Sequence, residues 1–257
     1  MEKLTIIKVG GKIVEEEQSL KQLLKDFARI EGYKILVHGG GRSATKLAER
    51  LGIESRMING RRITDLETLQ IVTMVYGGLV NKNIVAGLQA LNVNALGLTG
   101  ADMNLIRSEK RPVREIDYGF AGDVKEVNTA ILSSLISQGI VPILAPLTHD
   151  KLGNILNTNA DTIAGETAKA LANVFEVSLV YCFEKKGVLM DENDDDSVIP
   201  SLNKGEFKDL VQKGVIQGGM IPKLDNAFES IEAGVKEVVI TSADEIGKTS
   251  GTHIYLP

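Results

Sequence analysis

Short apolar runs alternate with helical patterns along most of this 257-residue chain. The runs have the length of buried strands, and they cover residues 4–9, 34–38, 95–98, 140–145, 178–183 and 235–241. Between them, apolar residues recur at the spacing of one helix face. Because parallel strands need crossover connections, this alternation predicts an α/β fold, a three-layer αβα sandwich around a mostly parallel open sheet.

Several polar residues have the spacing of helix caps. Ser19 and Gln22 fit a capping box, and Thr64 and Glu67 fit a second one before the next helical pattern. The charged segment 104–125 interrupts the alternation of strands and helices. Its glycine and aromatic residues predict hairpins at a sheet edge.

The charge balance and the cysteine content exclude several classes of protein. The chain has 29 Lys and Arg against 34 Asp and Glu, a net charge of −5, so no nucleic-acid partner is expected. The single cysteine, Cys182, lies in an apolar run and is expected to be an inert core residue in a reducing compartment. Three scattered histidines predict no resident metal site. Since no basic and apolar leader is found, we expect a cytoplasmic protein without a membrane segment.

Two glycine motifs directly follow predicted strands. In residues 8–12, Lys8 precedes Gly10 and Gly11. A lysine at the end of an apolar strand is unusual as a residue of the hydrophobic core. In residues 38–43, three glycines stand before a helix, where backbone N–H groups form a cradle for an anion. Both motifs therefore predict contact with a phosphate or a carboxylate.

The second motif also permits a different interpretation. Gly39, Gly41 and Ala44 fit the G-x-G-x-x-A dinucleotide fingerprint. That fingerprint requires an acidic residue about 20 positions later, whereas residues 58–62 are a basic loop. An NAD(P)-dependent oxidoreductase is therefore the alternative from another class.

Further polar residues lie at predicted junctions between strands and helices. Arg62 follows a glycine turn, residues 157–161 precede one helix, and residues 218–223 precede another. In an open α/β sheet, the loops at the carboxyl ends of the strands converge on the ligand crevice. We therefore expect the two glycine motifs and these polar residues to meet in one cleft.

Five of these segments together resemble the amino-acid kinase superfamily. They are residues 8–11, 38–41, 59–64, 157–161 and 218–223, and they follow one another in the order found in that family. The likeness spans nearly the whole chain and is greatest to the branch whose members phosphorylate N-acetylglutamate in arginine biosynthesis. It implies the amino-acid kinase fold, with ATP and Mg²⁺ as cofactors and a γ-carboxylate as the phosphoryl acceptor.

The resemblance also implies roles for individual residues. Lys8 and Lys223 would flank the transferring phosphoryl group, with Asp161 orienting both. The substrate-binding residues would be Gly40, Gly41, Arg62, Asn157 and Asn159. The ATP-binding residues would be Gly10, Gly11, Glu184, Lys186, Gly187, Leu189, Ile216, Gln217 and Gly219.

The single domain, residues 1–257, would then comprise two lobes. Residues 1–172 would bind the acylated amino acid and residues 173–257 would bind ATP. Two departures from the family pattern fall on the nucleotide side. The family usually has Asp-Val-x-Gly where this chain has residues 184–187, and it often has Thr in place of Gln217.

Other substrates and functions stay open at this stage. The added cations Arg61 and Lys186 leave room for an N-succinyl group, which would bring one more carboxylate. Free glutamate or aspartate, or nucleotide storage without transfer, are further alternatives. The N-terminal helix that links dimers into arginine-inhibited hexamers in the family does not precede residue 4, so we expect a homodimer without strong arginine feedback.

Overall fold

The computed structural model describes residues 1–58, 60–248 and 250–256. The strands are β1 (Lys3–Val9), β2 (Tyr33–His38), β3 (Met57–Ile58), β4 (Arg61–Arg62), β5 (Ala95–Leu98), β6 (Ile106–Lys110), β7 (Gly122–Val127), β8 (Val141–Leu144), β9 (Leu147–His149), β10 (Ile155–Asn157), β11 (Glu176–Phe183), β12 (Ser201–Leu202), β13 (Glu237–Ser242) and β14 (Thr252–Ile254). The helices are α1 (Gly11–Glu15), α2 (Glu17–Arg29), α3 (Gly41–Arg50), α4 (Leu66–Val72), α5 (Asn81–Gln89), α6 (Thr129–Ser137), α7 (Ala160–Leu171), α8 (Lys204–Gln212) and α9 (Met220–Glu232).

An eight-stranded sheet forms the middle layer, in the order β12-β14-β13-β11-β1-β2-β8-β5. Its pairs are parallel except for β13 and β14, which run antiparallel. All six strands predicted from the sequence lie in this sheet. The prediction of a mostly parallel sheet is therefore confirmed.

Both faces of the sheet are covered, because side chains on a strand alternate between its two faces. In β1, Leu4 and Ile6 belong to a core that also contains residues of α6, α7, α8 and α9. Ile7 and Val9 face the opposite way and pack with residues of α1 to α5. This division into two cores confirms the three-layer sandwich.

The charged hairpin lies at the edge of a sheet, as predicted, with β7 as the edge strand. β6 and β7 pair antiparallel, as predicted, but they belong to a separate four-stranded sheet in the order β10-β9-β6-β7. A third, two-stranded sheet is the hairpin of β3 and β4, whose turn includes Gly60 at a φ of 72°. Asn59, which belongs to the same predicted motif, lies outside the described residues.

Both predicted capping boxes are wrong. Ser19 lies inside α2, and the residue that precedes this helix is Glu16. The cap of α4 is Asp65, whose carboxylate accepts the Thr68 N–H at 2.8 Å. The Thr64 hydroxyl instead donates to the Arg62 carbonyl at 3.0 Å and accepts from the Asn157 amide at 3.0 Å.

One long helical unit spans 24 residues. α4, a π-helical segment Thr73–Val80 and α5 form a continuous helix, Leu66–Gln89. By length and composition alone this helix is long and apolar enough to cross a membrane, with a mean hydropathy of 1.3. However, 44% of its most apolar window is buried inside the protein, which is also typical of a core helix.

Candidate active site

The centre of the candidate site lies at the carboxyl ends of β1 and β11, which are neighbours in the sheet. Lys8 continues the face of β1 that carries Leu4 and Ile6, so its side chain points toward α7 rather than toward α1. Its neighbour in register is Tyr181, and Phe183 stands two residues further on the same face of β11. The pleat of the sheet therefore brings a lysine and an aromatic ring together.

Two helix N-termini complete this centre. Asp161 lies in the first turn of α7, and its carboxylate Oδ1 is 2.6 Å from Lys8 Nζ in a buried ion pair. Lys223 lies in the first turns of α9, which packs beside α7. The ammonium groups of Lys8 and Lys223 lie 4.9 and 3.7 Å from the centroid of the Phe183 ring. The structure thus brings both predicted lysines and Asp161 to one place.

The environment of Lys223 acts on its charge in two directions. Burial lowers the pKa of Lys223, because a desolvated ammonium is less stable than a solvated one. The Asp161 carboxylate opposes that effect, and the nearby Lys8 ammonium adds to it. Two like charges held this close indicate a site built for an anion that neutralises both.

The two glycine motifs lie against each other beside this centre. The Gly39 N–H donates to the Val9 carbonyl at 3.0 Å. A Cβ at Gly39 would lie 3.2 Å from the Gly11 nitrogen, so a larger residue there would require a small shift of the neighbouring backbone. Gly40 needs its small size for another reason, because a Cβ there would lie 2.8 Å from the Tyr76 ring.

A cavity of about 190 Å³ opens on one side of Lys8 and Asp161. Its lining includes the predicted substrate-binding residues, which are Gly40, Gly41, Arg62, Asn157 and Asn159. Tyr76 also lines it, from the π-helical segment. Burial raises the pKa of Tyr76, so its hydroxyl stays protonated and can donate a hydrogen bond. We call this space the substrate cavity.

Arg62 is held by the protein itself. Its Nη2 donates to the Gly41 carbonyl at 2.8 Å and to the Thr45 hydroxyl at 2.9 Å, and its Nη1 donates to the Ser55 hydroxyl at 2.8 Å. The Tyr76 hydroxyl is a further hydrogen-bond partner, so most of the five N–H groups of this guanidinium are engaged within the protein. Arg62 therefore links several segments of the protein by hydrogen bonds and also places a positive charge in the cavity lining.

The two asparagines of the cavity are also fixed. Asn157 donates its amide to the Thr64 hydroxyl at 3.0 Å. Asn159 caps α7, because its carbonyl oxygen accepts the backbone N–H groups of Asp161 and Thr162. This leaves the amide nitrogen of Asn159 free of the capping bonds and able to donate to a ligand.

A buried histidine supports the glycine motif from behind. His38 is fully buried; its Nδ1 lies 2.7 Å from the Gly39 carbonyl and its Nε2 lies 3.1 Å from the Asn81 amide. Burial lowers the pKa of His38 to about 4. The ring is therefore neutral near pH 7, donating from Nδ1 and accepting at Nε2.

A second cavity, of about 430 Å³, lies on the other side of Lys8. Gly10, Gly11, Glu184 and Gly187 line it together with Lys8, Asp161 and Lys223. We call it the phosphate cavity. The cavity that contains Leu189, Ile216, Gln217 and Gly219 also includes Gly187 in its lining and measures about 780 Å³.

Lys186 is the one predicted site residue that lies apart. It is exposed and absent from the lining of both cavities on the nucleotide side. Its Nζ lies 2.8 Å from the Asp196 carboxylate in the acidic loop. Its proposed contact with a nucleotide would require that pair to open.

Sequence reasoning missed several residues of the site. Phe183 and Tyr76 lie in apolar patterns that are typical of core residues, so nothing in the sequence distinguishes them. Lys12 and Arg42 directly follow the two glycine turns, which is a signal that could have found them. Cys182 matches its prediction: it is buried, and burial raises its pKa to about 12.

The donor chemistry of the site fits a metal that arrives with the nucleotide. Within residues 1–58, 60–248 and 250–256, no group of three or more His, Cys, Asp or Glu side chains could hold a metal ion. The Asp161 carboxylate is already paired with Lys8. Mg²⁺ is usually bound in part by substrate phosphates, so a protein cage is not required.

Comparison with known proteins identifies the family. Residues 3–242 match the model described as the amino acid kinase family, and the chain belongs to this family. It is 74% identical to the acetylglutamate kinase of Parabacteroides distasonis over 255 residues, which cover 99% of this chain and all of that protein. It is 57% identical to the acetylglutamate kinase of Cytophaga hutchinsonii over 99% of both chains, and 42% identical to that of Methanopyrus kandleri over 98% of this chain and all of the other.

Solved structures agree on the fold. A Streptococcus mutans protein superposes with a TM-score of 0.82 at 28% identity, covering 98% of both chains. The N-acetylglutamate synthase of Neisseria gonorrhoeae, at 21% identity, also gives a TM-score of 0.82 and covers 98% of this chain and 59% of its own. These relatives confirm the predicted fold and do not favour the oxidoreductase alternative.

Proposed function

We propose that this protein transfers the γ-phosphoryl group of ATP to the γ-carboxylate of N-acetyl-L-glutamate and forms an acyl phosphate in arginine biosynthesis. The observation that carries the proposal is the convergence of Lys8 and Lys223 beside Asp161 and Phe183. The acetylglutamate kinases of P. distasonis and C. hutchinsonii support the choice of substrate, because they match this chain over nearly its full length.

The chemistry needs positive charge more than it needs a base. A γ-carboxylate has a pKa of about 4.3 and is already ionised at neutral pH. The obstacle is the approach of this anion to a polyphosphate, so catalysis depends on alignment and on charge stabilisation. Lys8 and Lys223 would stabilise the equatorial and bridging oxygens of the transferring group, and Asp161 would hold Lys8 in position.

The substrate cavity would hold the acylated amino acid. The positive charge of Arg62 suits its α-carboxylate, and Asn157 and Asn159 suit the acyl amide. The backbone N–H groups of Gly40 and Gly41 would contact the acceptor carboxylate at the start of α3. The γ-carboxylate would then point toward Lys8, which lines both the substrate cavity and the phosphate cavity.

The nucleotide would occupy the other side of Lys8. Gly10 and Gly11 would contact the phosphates, and Glu184 would stand in the lining of the same cavity. Gly187, Leu189, Ile216, Gln217 and Gly219 would surround the nucleoside. Mg²⁺, bound by the phosphates, would supply further charge neutralisation. Residues 1–172 and 173–257 would thus serve as the amino-acid lobe and the ATP lobe.

A coupled assay of ADP release tests this function. N-acetyl-L-glutamate should give the highest kcat/KM among N-acetyl-, N-succinyl- and free glutamate, with aspartate, UMP and carbamate as further acceptors. A higher kcat/KM for N-succinylglutamate would show that the enzyme prefers a succinyl group, with the same phosphoryl-transfer reaction. Affinity for NADH with no ATP turnover would refute the kinase reaction altogether.

We further propose a homodimer that works in the cytoplasm. The exposed side of the helix Leu66–Gln89 carries Leu66, Met74 and Leu79, each more than half exposed, and a second copy could cover them. The lone, unpaired Cys182 fits a reducing compartment. Light scattering should give the mass of two chains, and Met74→Lys should shift it to one; a monomer in the unsubstituted protein would contradict this assembly.

A further inference from the structure

An ion-pair cluster lies at the phosphate cavity, and the proposed reaction does not use it. Glu184 accepts a hydrogen bond from Lys12 Nζ at its Oε2 and from Arg42 Nη2 at its Oε1, both at 3.1 Å. Lys12 directly follows the glycines of the first motif, Arg42 directly follows those of the second, and Glu184 follows β11. One carboxylate therefore links both glycine motifs to the strand that ends at Phe183.

All three side chains are accessible to a ligand. Their exposed fractions are 42% for Lys12, 57% for Arg42 and 48% for Glu184, and all three line the phosphate cavity. Ion pairs that are this exposed contribute little to folding, because water screens them. The cluster is thus a weak internal contact that a stronger anion can replace.

The charge of the cavity favours such an anion. Its lining has more cations than carboxylates, namely Lys8, Lys12, Arg42, Lys185 and Lys223 against Asp161 and Glu184. Asp161 is engaged with Lys8 in a buried pair, so Glu184 is the accessible carboxylate of this lining. A polyphosphate entering the cavity would compete with Glu184 for the same two cations.

We propose that Lys12 and Arg42 bind the β-phosphate of the nucleotide, and that Glu184 is their exchangeable counter-ion in the free protein. This inference rests on the proposed nucleotide site. In contrast to the ATP-binding role that the family resemblance implies, Glu184 would not itself contact the nucleotide; it would hold the two cations near the cavity until a polyphosphate displaces it. A guanidinium and an ammonium supply the donors that phosphate oxygens require.

Calorimetric titration with ADP and AMP, without any amino acid present, tests the proposal. Lys12→Gln and Arg42→Gln should each weaken ADP binding about tenfold, because each removes a charged hydrogen bond. AMP lacks the β-phosphate, so its Kd should change less than about twofold. Glu184→Gln should tighten ADP binding by up to about fivefold, since it removes the internal competitor.

The opposite sign of these two effects separates the proposal from a merely structural role. Lys21→Gln is the matched control, because it removes an exposed lysine paired with Glu17 on α2 and should leave ADP binding unchanged. ADP binding within twofold of the unsubstituted protein in both cation variants would overturn the proposal, as would weaker ADP binding in Glu184→Gln. If the unsubstituted protein binds ADP but does not phosphorylate N-acetylglutamate, only the proposed reaction fails. If it binds no ADP, both fail.

Discussion

Asp161 and Glu184 line the same cavity, and each pairs with cations from other elements of the fold, but they do so in opposite surroundings. The Asp161 carboxylate is 12% exposed and its partner Lys8 is 8% exposed. The Glu184 carboxylate is 48% exposed. Burial removes the screening by water, so the first pair is a fixed part of the folded protein and the second can exchange partners.

This difference also separates stability from ligand binding. Breaking a buried ion pair leaves an uncompensated charge in a poorly solvated place, which is strongly destabilising. Breaking an exposed pair leaves two groups that water can solvate. We therefore expect substitutions in the Asp161 pair to change both folding and turnover, and substitutions in the Glu184 cluster to change nucleotide binding alone.

Lys8→Ala should have the largest effect. We expect kcat to fall at least about 100-fold, because a cation at the transferring group is lost. The free energy of unfolding should also fall by about 3 kcal/mol, since Asp161 is left buried without its partner. Steady-state kinetics and urea unfolding measure the two effects separately.

Lys223→Ala and a double variant control for this result. Lys223→Ala should lower kcat by a similar factor but cost less than about 1 kcal/mol in stability, because burial already disfavours its charge. Lys8→Met combined with Asp161→Asn should recover stability without recovering activity. If both single lysine variants lose less than about tenfold in activity, the proposed phosphoryl-transfer site is refuted.

Burial also predicts a pH dependence, through His38. Its pKa is about 4 in the folded protein against an ordinary value of 6.5. Between these values the unfolded chain binds a proton that the folded protein excludes. The stabilisation is therefore fully present above 6.5 and is lost as pH falls toward 4, by up to roughly 3 kcal/mol. Urea unfolding across this pH range should show the fall in the free energy of unfolding, and His38→Gln should remove the contribution of His38 to that fall. Parallel pH curves for the two proteins would show that His38 is not its source.

The sequence could predict the layers from general rules, whereas the meeting of the two lysines was implied by the family resemblance. Strands alternating with helices give a parallel sheet, and the ends of parallel strands lie at one edge. Lys8 stands at such an end, but Lys223 lies in α9, which follows α8 and not a strand, so the predicted strand–helix junction at residues 218–223 is wrong and the strand rule alone does not place Lys223. The same rules could not place β6 and β7 in a separate sheet, since β6 pairs there with β9, which is distant in the sequence.

Side-chain detail was beyond sequence reasoning where two neighbours compete for one role. Asp65 rather than Thr64 caps α4, and the Thr64 hydroxyl bonds to the Arg62 carbonyl and the Asn157 amide instead. Phe183 could not be distinguished from core residues until its ring was seen beneath two ammonium groups. Lys186 was predicted at the nucleotide, but its place beside Asp196 depends on how the acidic loop folds.

Arg62 provides a test in the substrate cavity, where hydrogen bonds within the protein hold the cation in place. Arg62→Ala should raise the KM for N-acetylglutamate about tenfold or more and change the KM for ATP less than about twofold, because it contacts a part of the substrate that does not react. Arg62→Lys keeps the charge but loses the planar fork that bonds to Gly41, Thr45 and Ser55, so it should recover little. An unchanged amino-acid KM with a raised ATP KM would reverse the assignment of the two lobes.

Glu184→Gln should give the smallest change in stability, and it tests the exposed side of the comparison directly. The free energy of unfolding should change by less than about 1 kcal/mol, because Lys12 and Arg42 remain solvated when their partner becomes neutral. Urea unfolding beside Asp161→Asn, where the buried Lys8 loses its counter-charge, makes the contrast quantitative. Equal losses in the two variants would show that burial does not separate the clusters, and that the Glu184 cluster is a structural link between the glycine motifs and β11 rather than an exchangeable one.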